Sequence, residues 1–210
     1  KNLRNFCGKP LSYYTISIIA LYLKRHPELQ YDITVNSDSE ELLNLVSNNG
    51  IILIEQIMRD KNLAGDEVGK IAVVSDCLQK MEQKYKRCYD MVVDLDITSP
   101  LRMIEDLERV IELQIEKGAD VVTTVATARR NPYFNQVKRT DHGVKRVIDS
   151  HYTARQQAPE IFDMNASIYA YRPDFLKSGK GILDGYCEVV EMYDTGILDL
   201  DHENDFELME

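Results

Sequence analysis

The feature that most constrains this chain is a repeated alternation between short, wholly apolar runs and longer amphipathic segments. Met91, Val92, Val93 and Leu95 form one apolar run, and Asp120–Val125 forms another. Between them, Arg102–Lys117 sets Ile104, Leu107, Ile111 and Ile115 on one helical stripe, with Glu105 placed to pair with Arg109 one turn on. Strands that are apolar on both faces must be covered on both, so such strands separated by helices dictate a mostly parallel sheet between two helical layers. The pattern extends upstream. A helix is expected from Pro10, whose missing N–H costs nothing in a first turn, to about Lys24, with Tyr14, Ile18 and Leu21 on its apolar face. Strands are expected at Tyr31–Val35 and Ile51–Ile54, and helices at Glu40–Val46 and Asp66–Tyr85. The second half changes character. Phe134–Arg139 and Val144–Ile148 flank Asp141-His142-Gly143 as a hairpin, Ala166–Tyr171 and Glu188–Met192 are strands, and Glu203–Glu210 is a terminal helix. The 210 residues contain no repeat and no linker, so the expectation is one α/β domain over 1–210 with a β-rich excursion at 130–160.

Charge and composition narrow the partners. With 25 Lys and Arg against 35 Asp and Glu, the formal charge of −10 disfavours nucleic acid, although a single nucleotide needs only a local cationic pocket or a metal. No apolar run reaches the roughly 18 residues of a membrane helix, and neither a membrane nor a signal peptide is expected. Cys7, Cys77, Cys88 and Cys187 lack CxxC spacing, which fits a reducing cytoplasm and thiols that fill the core. His26, His142, His151 and His202 have no ligand spacing and read as surface residues, while Tyr13-Tyr14 reads as packing against the sheet.

In open α/β sheets ligands bind beyond the carboxyl ends of the strands. The residues following each expected strand therefore form a site list: Ser37 and Asp38; Asp94, Asp96, Thr98, Ser99 and Arg102; Thr127, Arg129 and Arg130; and Asp194, Asp199 and Asp201. Carboxylates, hydroxyls and arginines on one edge suit an anionic substrate bound with a divalent cation. Asp199-Leu200-Asp201, if extended, directs both carboxylates to one side and Leu200 to the core, a geometry suited to Mg²⁺. The plainer alternative is that Asp201 caps the last helix. Asp94-Leu95-Asp96 has the same spacing and is a rival metal site. Thr98-Ser99-Pro100 reads as a strand-to-helix turn with Pro100 just inside the helix and a hydroxyl as its cap. Arg129-Arg130 and Arg155-Gln156-Gln157 are cationic points able to grip a carboxylate, or else a solvated loop or subunit contact.

Taken in order, these residues resemble the acylneuraminate cytidylyltransferase family, the CMP-sialic acid synthetases and their bacterial relatives. Lys1-Asn2-Leu3 with Gly8-Lys9-Pro10-Leu11 resembles the end of the family's N-terminal signature, and Val35-Asn36-Ser37-Asp38-Ser39-Glu40 its second strand and turn. Arg59-Asp60 with Leu63-Ala64 and Asp66 is similar to its Arg-Pro-x-x-Leu-Ala-x-Asp stretch. Asp96-Ile97-Thr98-Ser99-Pro100-Leu101-Arg102 resembles Gln-Pro-Thr-Ser-Pro-Leu-Arg. Arg155-Gln156-Gln157-Ala158-Pro159 and Asn165-Ala166-Ser167-Ile168-Tyr169 resemble its Arg-Gln-x-x-Pro and Asn-Gly-Ala-Ile-Tyr segments. Asp199-Leu200-Asp201 with Asp205-Phe206 resembles its Asp-Ile-Asp metal motif.

The resemblance implies a three-layer, Rossmann-like nucleotidyltransferase fold and a Mg²⁺-dependent reaction. CTP and a nine-carbon α-keto acid sugar would give the CMP-sugar and pyrophosphate. Asp199 and Asp201 would hold the metal, and Lys1 would neutralise the phosphates. Asn2, Ser37, Asp38, Arg59 and Asp66 would surround the nucleotide. Asp96, Thr98, Ser99, Arg155, Gln156 and Asn165 would line the sugar site, with Arg155 on the sugar carboxylate. A metal-bound hydroxide or Asp96 would serve as base. A homodimer built through the 130–160 excursion is also implied. Two departures stand out. The glycine-rich loop and strand that would precede Lys1 lie outside the sequence, and Asp96 replaces the family's Gln, trading an amide for a donor-seeking charge. That exchange points to a legionaminic, pseudaminic or variant sialic acid. The alternatives are a 3-deoxy-manno-octulosonate or polyol-phosphate cytidylyltransferase, a sugar nucleotidyltransferase using another base, and a non-catalytic nucleotide- or sugar-binding module.

Overall fold

The computed structural model describes residues 2–65, 68–193, 200 and 202–209. A two-residue ribbon, β1 (Asn5–Phe6) with β2 (Lys9–Pro10), leads into α1 (Leu11–Arg25). Then come β3 (Thr34–Ser37), α2 (Glu40–Ser47), β4 (Glu55–Met58), α3 (Lys70–Tyr85), β5 (Val92–Leu95), α4 (Ile104–Lys117) and β6 (Val121–Thr127). The hairpin β7 (Val137–Thr140) and β8 (Gly143–Arg146) follows, then β9 (Phe162–Tyr171), α5 (Pro173–Lys177), β10 (Cys187–Glu191) and α6 (Glu203–Met209).

The main sheet has the order β10-β6-β9-β5. β10 runs parallel to β6, whereas β9 is antiparallel to both β6 and β5, so β5, β6 and β10 point the same way. β3 and β4 form a separate parallel pair, with no ladder to the main sheet among the described residues. Period-two alternation explains the three layers. Val93, Val122, Ile168, Ala170 and Val190 face α1 and α4, packing on Tyr22, Ile104, Leu107 and Val110. Their neighbours Val92, Val121, Tyr169 and Tyr171 face α3 and α5, against Ile71, Val74, Leu78, Phe175 and Leu176. Ile97 joins two smaller clusters, one around Ile16, Leu42 and Val46, the other around Phe6, Leu11, Leu200 and Phe206.

Several local expectations give way to tertiary structure. Ile51–Ile54 is not a strand, because the Asn49 carboxamide claims its backbone: Asn49 Oδ1 accepts from Ile51 N at 2.7 Å and Ile52 N at 3.0 Å, and Nδ2 donates to Ile52 O at 2.9 Å. The strand starts at Glu55 instead. The buried face of α4 is rotated toward Leu107, Val110 and Gln114, leaving Ile115 72% exposed. Arg109 pairs with Asp106 at 2.7 Å, since Glu105 turns toward Arg25 at 3.6 Å. Pro100 precedes α4 rather than entering it; the helix begins at Ile104, where the buried Asp106 side chain accepts from Met103 N at 2.9 Å. Tyr14 packs on Phe6 and donates to its carbonyl at 2.8 Å, away from the main sheet. Cys7 and Cys88 are exposed, so only Cys77 and Cys187 fill space; burial pushes the Cys77 thiol up to about 11.

Candidate active site

The carboxyl ends of β5, β6 and β10 and the first half of β9 share one rim. Its centre is the Asp96–Arg102 loop, which is fixed from several sides. Asp96 N donates to Ser167 O at 3.1 Å, and Thr15 Oγ1 donates to Asp96 O at 3.2 Å. Arg102 is 4% exposed; its Nε donates to Ser99 O at 2.9 Å and its guanidinium also reaches Asp96 O. Burial pulls the Arg102 guanidinium down to about 10, against the raising influence of Asp96, Asp94 and Asp106, so it stays charged at neutral pH. Thr98 and Ser99 were expected to line a sugar site. Both side chains are buried, however, and their hydroxyls bond within the protein: Thr98 Oγ1 to Asp96 Oδ1 at 3.1 Å and Ser99 Oγ to Ser167 Oγ at 2.7 Å. They shape the rim rather than present groups from it.

β9 supplies the opposing wall through an irregularity. Its register against β6 shifts between Thr123 and Val125, and Ala166 there takes the left-handed conformation at φ 53°. The kink presents the Asn165 amide to the sheet. Asn165 Oδ1 accepts from Thr124 Oγ1 at 2.6 Å, and Nδ2 lies 3.3 Å from Met192 Sδ. A left-handed L-residue costs roughly 1–2 kcal/mol, a cost that glycine, as in the Asn-Gly-Ala-Ile-Tyr segment this stretch resembles, does not incur.

Beyond β6, Arg155 opens a single 3₁₀ turn, Arg155–Gln157. Its guanidinium donates to Ala128 O at 3.2 Å, at the carboxyl end of β6, while the remainder of the side chain and Gln156 are exposed. The β3–β4 pair presents a second group at its own carboxyl ends. Arg59 Nε donates to Asn36 Oδ1 at 2.7 Å and Nη2 to Asn36 O at 3.1 Å. Ser37 is buried, its Oγ accepting from Ser39 N at 3.1 Å, and Asp38 is exposed. Asn36 is thus the partner that orients Arg59. Asn2 is half-buried, its Oδ1 enclosed without a hydrogen-bond partner among the described residues. Arg129 and Arg130 are exposed beyond β6. Lys1, Asp66, Asp194, Asp199 and Asp201 lie outside the described residues.

The rival metal pair is occupied from within. Alternation along β5 directs Asp94, like Val92, toward α3, and Asp96 follows on the same side. The first residue of α3, Lys70, puts its Nζ 3.1 Å from Asp94 Oδ2, 3.1 Å from Asp96 Oδ2 and 4.8 Å from the Tyr169 ring centroid. Burial lowers the Lys70 pKa, but the two carboxylates outweigh it and raise the ammonium above its ordinary value. Burial likewise pushes the Asp96 carboxyl up, yet the Lys70 charge and the hydrogen bonds from Lys70 and Thr98 hold it below the usual range. An ammonium at this point supplies the cation that two carboxylates require, so Asp94-Leu95-Asp96 does not fit a metal. Among the described residues no group of three metal-ligating side chains converges. Lys70 sits in no motif; its only sequence signal is its place at the start of a helix on the face of the sheet that Asp94 also faces.

Comparison with known proteins identifies the family. A family model described as cytidylyltransferase matches residues 1–195. The chain is 32% identical over 210 residues to the post-translational flagellin modification protein B of Campylobacter coli, spanning 100% of this chain and 86% of that one. It is 31% identical, with the same coverage, to a CMP-N,N'-diacetyllegionaminic acid synthase of Campylobacter jejuni. In fold it is similar to 4-diphosphocytidyl-2C-methyl-D-erythritol synthase from Anaerococcus prevotii, with a TM-score of 0.66 at 11% identity, over 99% of this chain and 90% of that one.

Proposed function

Because the chain belongs to the cytidylyltransferase family, we propose that it activates a nine-carbon α-keto acid sugar, of the legionaminic or pseudaminic type, with CTP. The products are the CMP-sugar and pyrophosphate. The observation that carries this reading is the alignment over all 210 residues of this chain and 86% of the relative, at 31% identity, with a CMP-N,N'-diacetyllegionaminic acid synthase.

The anomeric C2 hydroxyl of the sugar attacks the α-phosphorus in line and pyrophosphate leaves. Such a transfer asks little covalent chemistry of the protein, so positioning and charge neutralisation dominate. Asn36-oriented Arg59, with Asn2, Ser37, Asp38 and Asp66, lies around the nucleotide, and Lys1 neutralises its phosphates. Arg155, anchored on Ala128 O and otherwise exposed, takes the sugar carboxylate, with Gln156 beside it. The Asp96 loop forms the wall that orients the rest of the sugar; Asn165, expected to line the sugar site, is buried with its amide bonded to Thr124 and Met192 and braces that wall from behind. Asp96 is a poor base because its carboxyl is held below the usual range, and it is assigned recognition rather than proton removal.

Asp199 and Asp201 would hold Mg²⁺. In support, the intervening Leu200 is fully buried against Phe6, Leu11 and Phe206, and its N donates to Thr98 O at 3.0 Å, which ties Leu200 to the Asp96 loop. When bound, the ion would neutralise charge developing on the phosphates. The hairpin carries the homodimer contact: Val137 and Val144 lie on one face of it, 59% and 65% exposed. No helix among the described residues is long and apolar enough to cross a membrane, and a cytoplasmic site of action fits the CTP requirement.

An acceptor panel with CTP and Mg²⁺, scored by pyrophosphate release, tests the reading, together with competition among CTP, UTP, GTP and TTP. Preference for a nonulosonic acid and CTP supports it. Preference for 3-deoxy-manno-octulosonate, a polyol phosphate or another base overturns it, as does the absence of turnover, which would leave a binding module.

A further inference from the structure

Lys70 belongs to none of the motifs that define the site, yet it makes the only ammonium bridge between Asp94 of β5 and Asp96 just beyond it among the described contacts. The three side chains are neither sealed nor freely solvated: Lys70 is 30% exposed, Asp94 25% and Asp96 35%. A ligand on the rim can therefore reach the cluster.

Hydrogen-bond capacity shows what it can offer. An ionised carboxylate has about four lone-pair sites. For Asp96, Oδ2 receives Lys70, and Oδ1 receives Thr98 Oγ1 at 3.1 Å and Thr98 N at 3.4 Å. One site is left, and it accepts only a donor. Lys70 has three N–H groups; two lie toward the carboxylates, and the ammonium rests over the Tyr169 ring. Lys70 thus has little left for a ligand and acts through its neighbour.

We propose that Lys70 is a positioning residue for acceptor recognition: by clamping Asp94 and Asp96 together it presents the remaining lone pair of Asp96 to an N–H or O–H of the sugar, and selects against acceptors that place a bare oxygen there. This rests on the cytidylyltransferase reading above and adds a specificity determinant to it. An amide at position 96 would offer both a donor and an acceptor and so would not discriminate.

The test compares wild type, Lys70→Met and Lys70→Arg in steady-state kinetics with CTP and the best acceptor of the panel. Loss of one aligned charged hydrogen bond corresponds to an increase in acceptor KM of about tenfold for Lys70→Met. The KM for CTP stays within about twofold, and Lys70→Arg, which can still bridge two carboxylates, recovers most of the loss. Should Lys70→Met fail to fold, Asp94→Asn loosens the clamp while sparing Asp96 and raises acceptor KM severalfold. Equal changes in both KM values, a fall in kcat with acceptor KM unchanged, or an arginine variant no better than methionine would overturn the proposal. Wild-type turnover with CTP is measured first. It tests the underlying reading alone, whereas the ratio of acceptor KM between variant and wild type tests Lys70.

Discussion

The β5 rim and the β7–β8 hairpin are built on opposite principles. At the rim, most side chains are engaged within the chain: Arg102 donates to two backbone carbonyls, Ser99 answers Ser167, and Lys70 pairs with two aspartates, although Arg102 Nη1 has no hydrogen-bond partner among the described residues. The hairpin is joined mainly by its own four-pair ladder and a few side-chain bonds, and it turns valines outward. Substitutions at the rim should therefore register in stability and turnover, whereas those on the hairpin should register in association.

The largest effect is expected at Asp201, proposed above as a metal ligand. Asp201→Ala should lower turnover on the order of a hundredfold, the usual scale for removing an electrostatic stabiliser, as measured by pyrophosphate release. Near-normal release would remove the metal assignment. Next is Arg102→Met, which strips Ser99 O of its buried donor and leaves Asp96 O only the Thr15 hydroxyl, and should lower unfolding free energy by about 3 kcal/mol in urea titrations. A loss under about 1 kcal/mol would show the loop to be less tightly held than its bonds suggest.

Asp96 should leave a pH signature. A carboxyl whose folded pKa lies below its unfolded value stabilises the fold above the ordinary value of 3.8, and that contribution is lost as pH falls through the lower folded value. The stability gap between wild type and Asp96→Asn should therefore narrow from pH 7 toward pH 3; a constant gap would contradict it. Ala166→Gly should raise stability by about 1 kcal/mol or less, because relief of a left-handed alanine is partly offset by the greater freedom of glycine in the unfolded chain. The smallest effect on folding belongs to Val144→Ser, within about 0.5 kcal/mol. That variant should nonetheless shift sedimentation toward monomer. An unchanged sedimentation coefficient would place the dimer contact elsewhere.

The layered fold was legible because alternation and helical periodicity are local. Val92 and Val93, or Val121 and Val122, announce a strand that must be covered on both faces. Asp94 and Asp96 on one side of β5 follow from the same period. What occupies the space between them did not: Lys70 comes from a different element and answers to tertiary placement alone. The apolar run Ile51–Ile54 misled because one side chain, Asn49, takes over backbone groups that a ladder would have used. Thr98 and Ser99 were found by type and order, but a motif does not say which hydroxyls face inward; their burial under Arg102 is decided by the loop.

The most direct test of the central claim follows the phosphorus itself. Incubation of the protein with CTP, Mg²⁺ and N,N'-diacetyllegionaminic acid, observed by ³¹P NMR, should give equal amounts of pyrophosphate and a new CMP-sugar phosphodiester. CTP left intact, or pyrophosphate formed without that conjugate, would contradict the account.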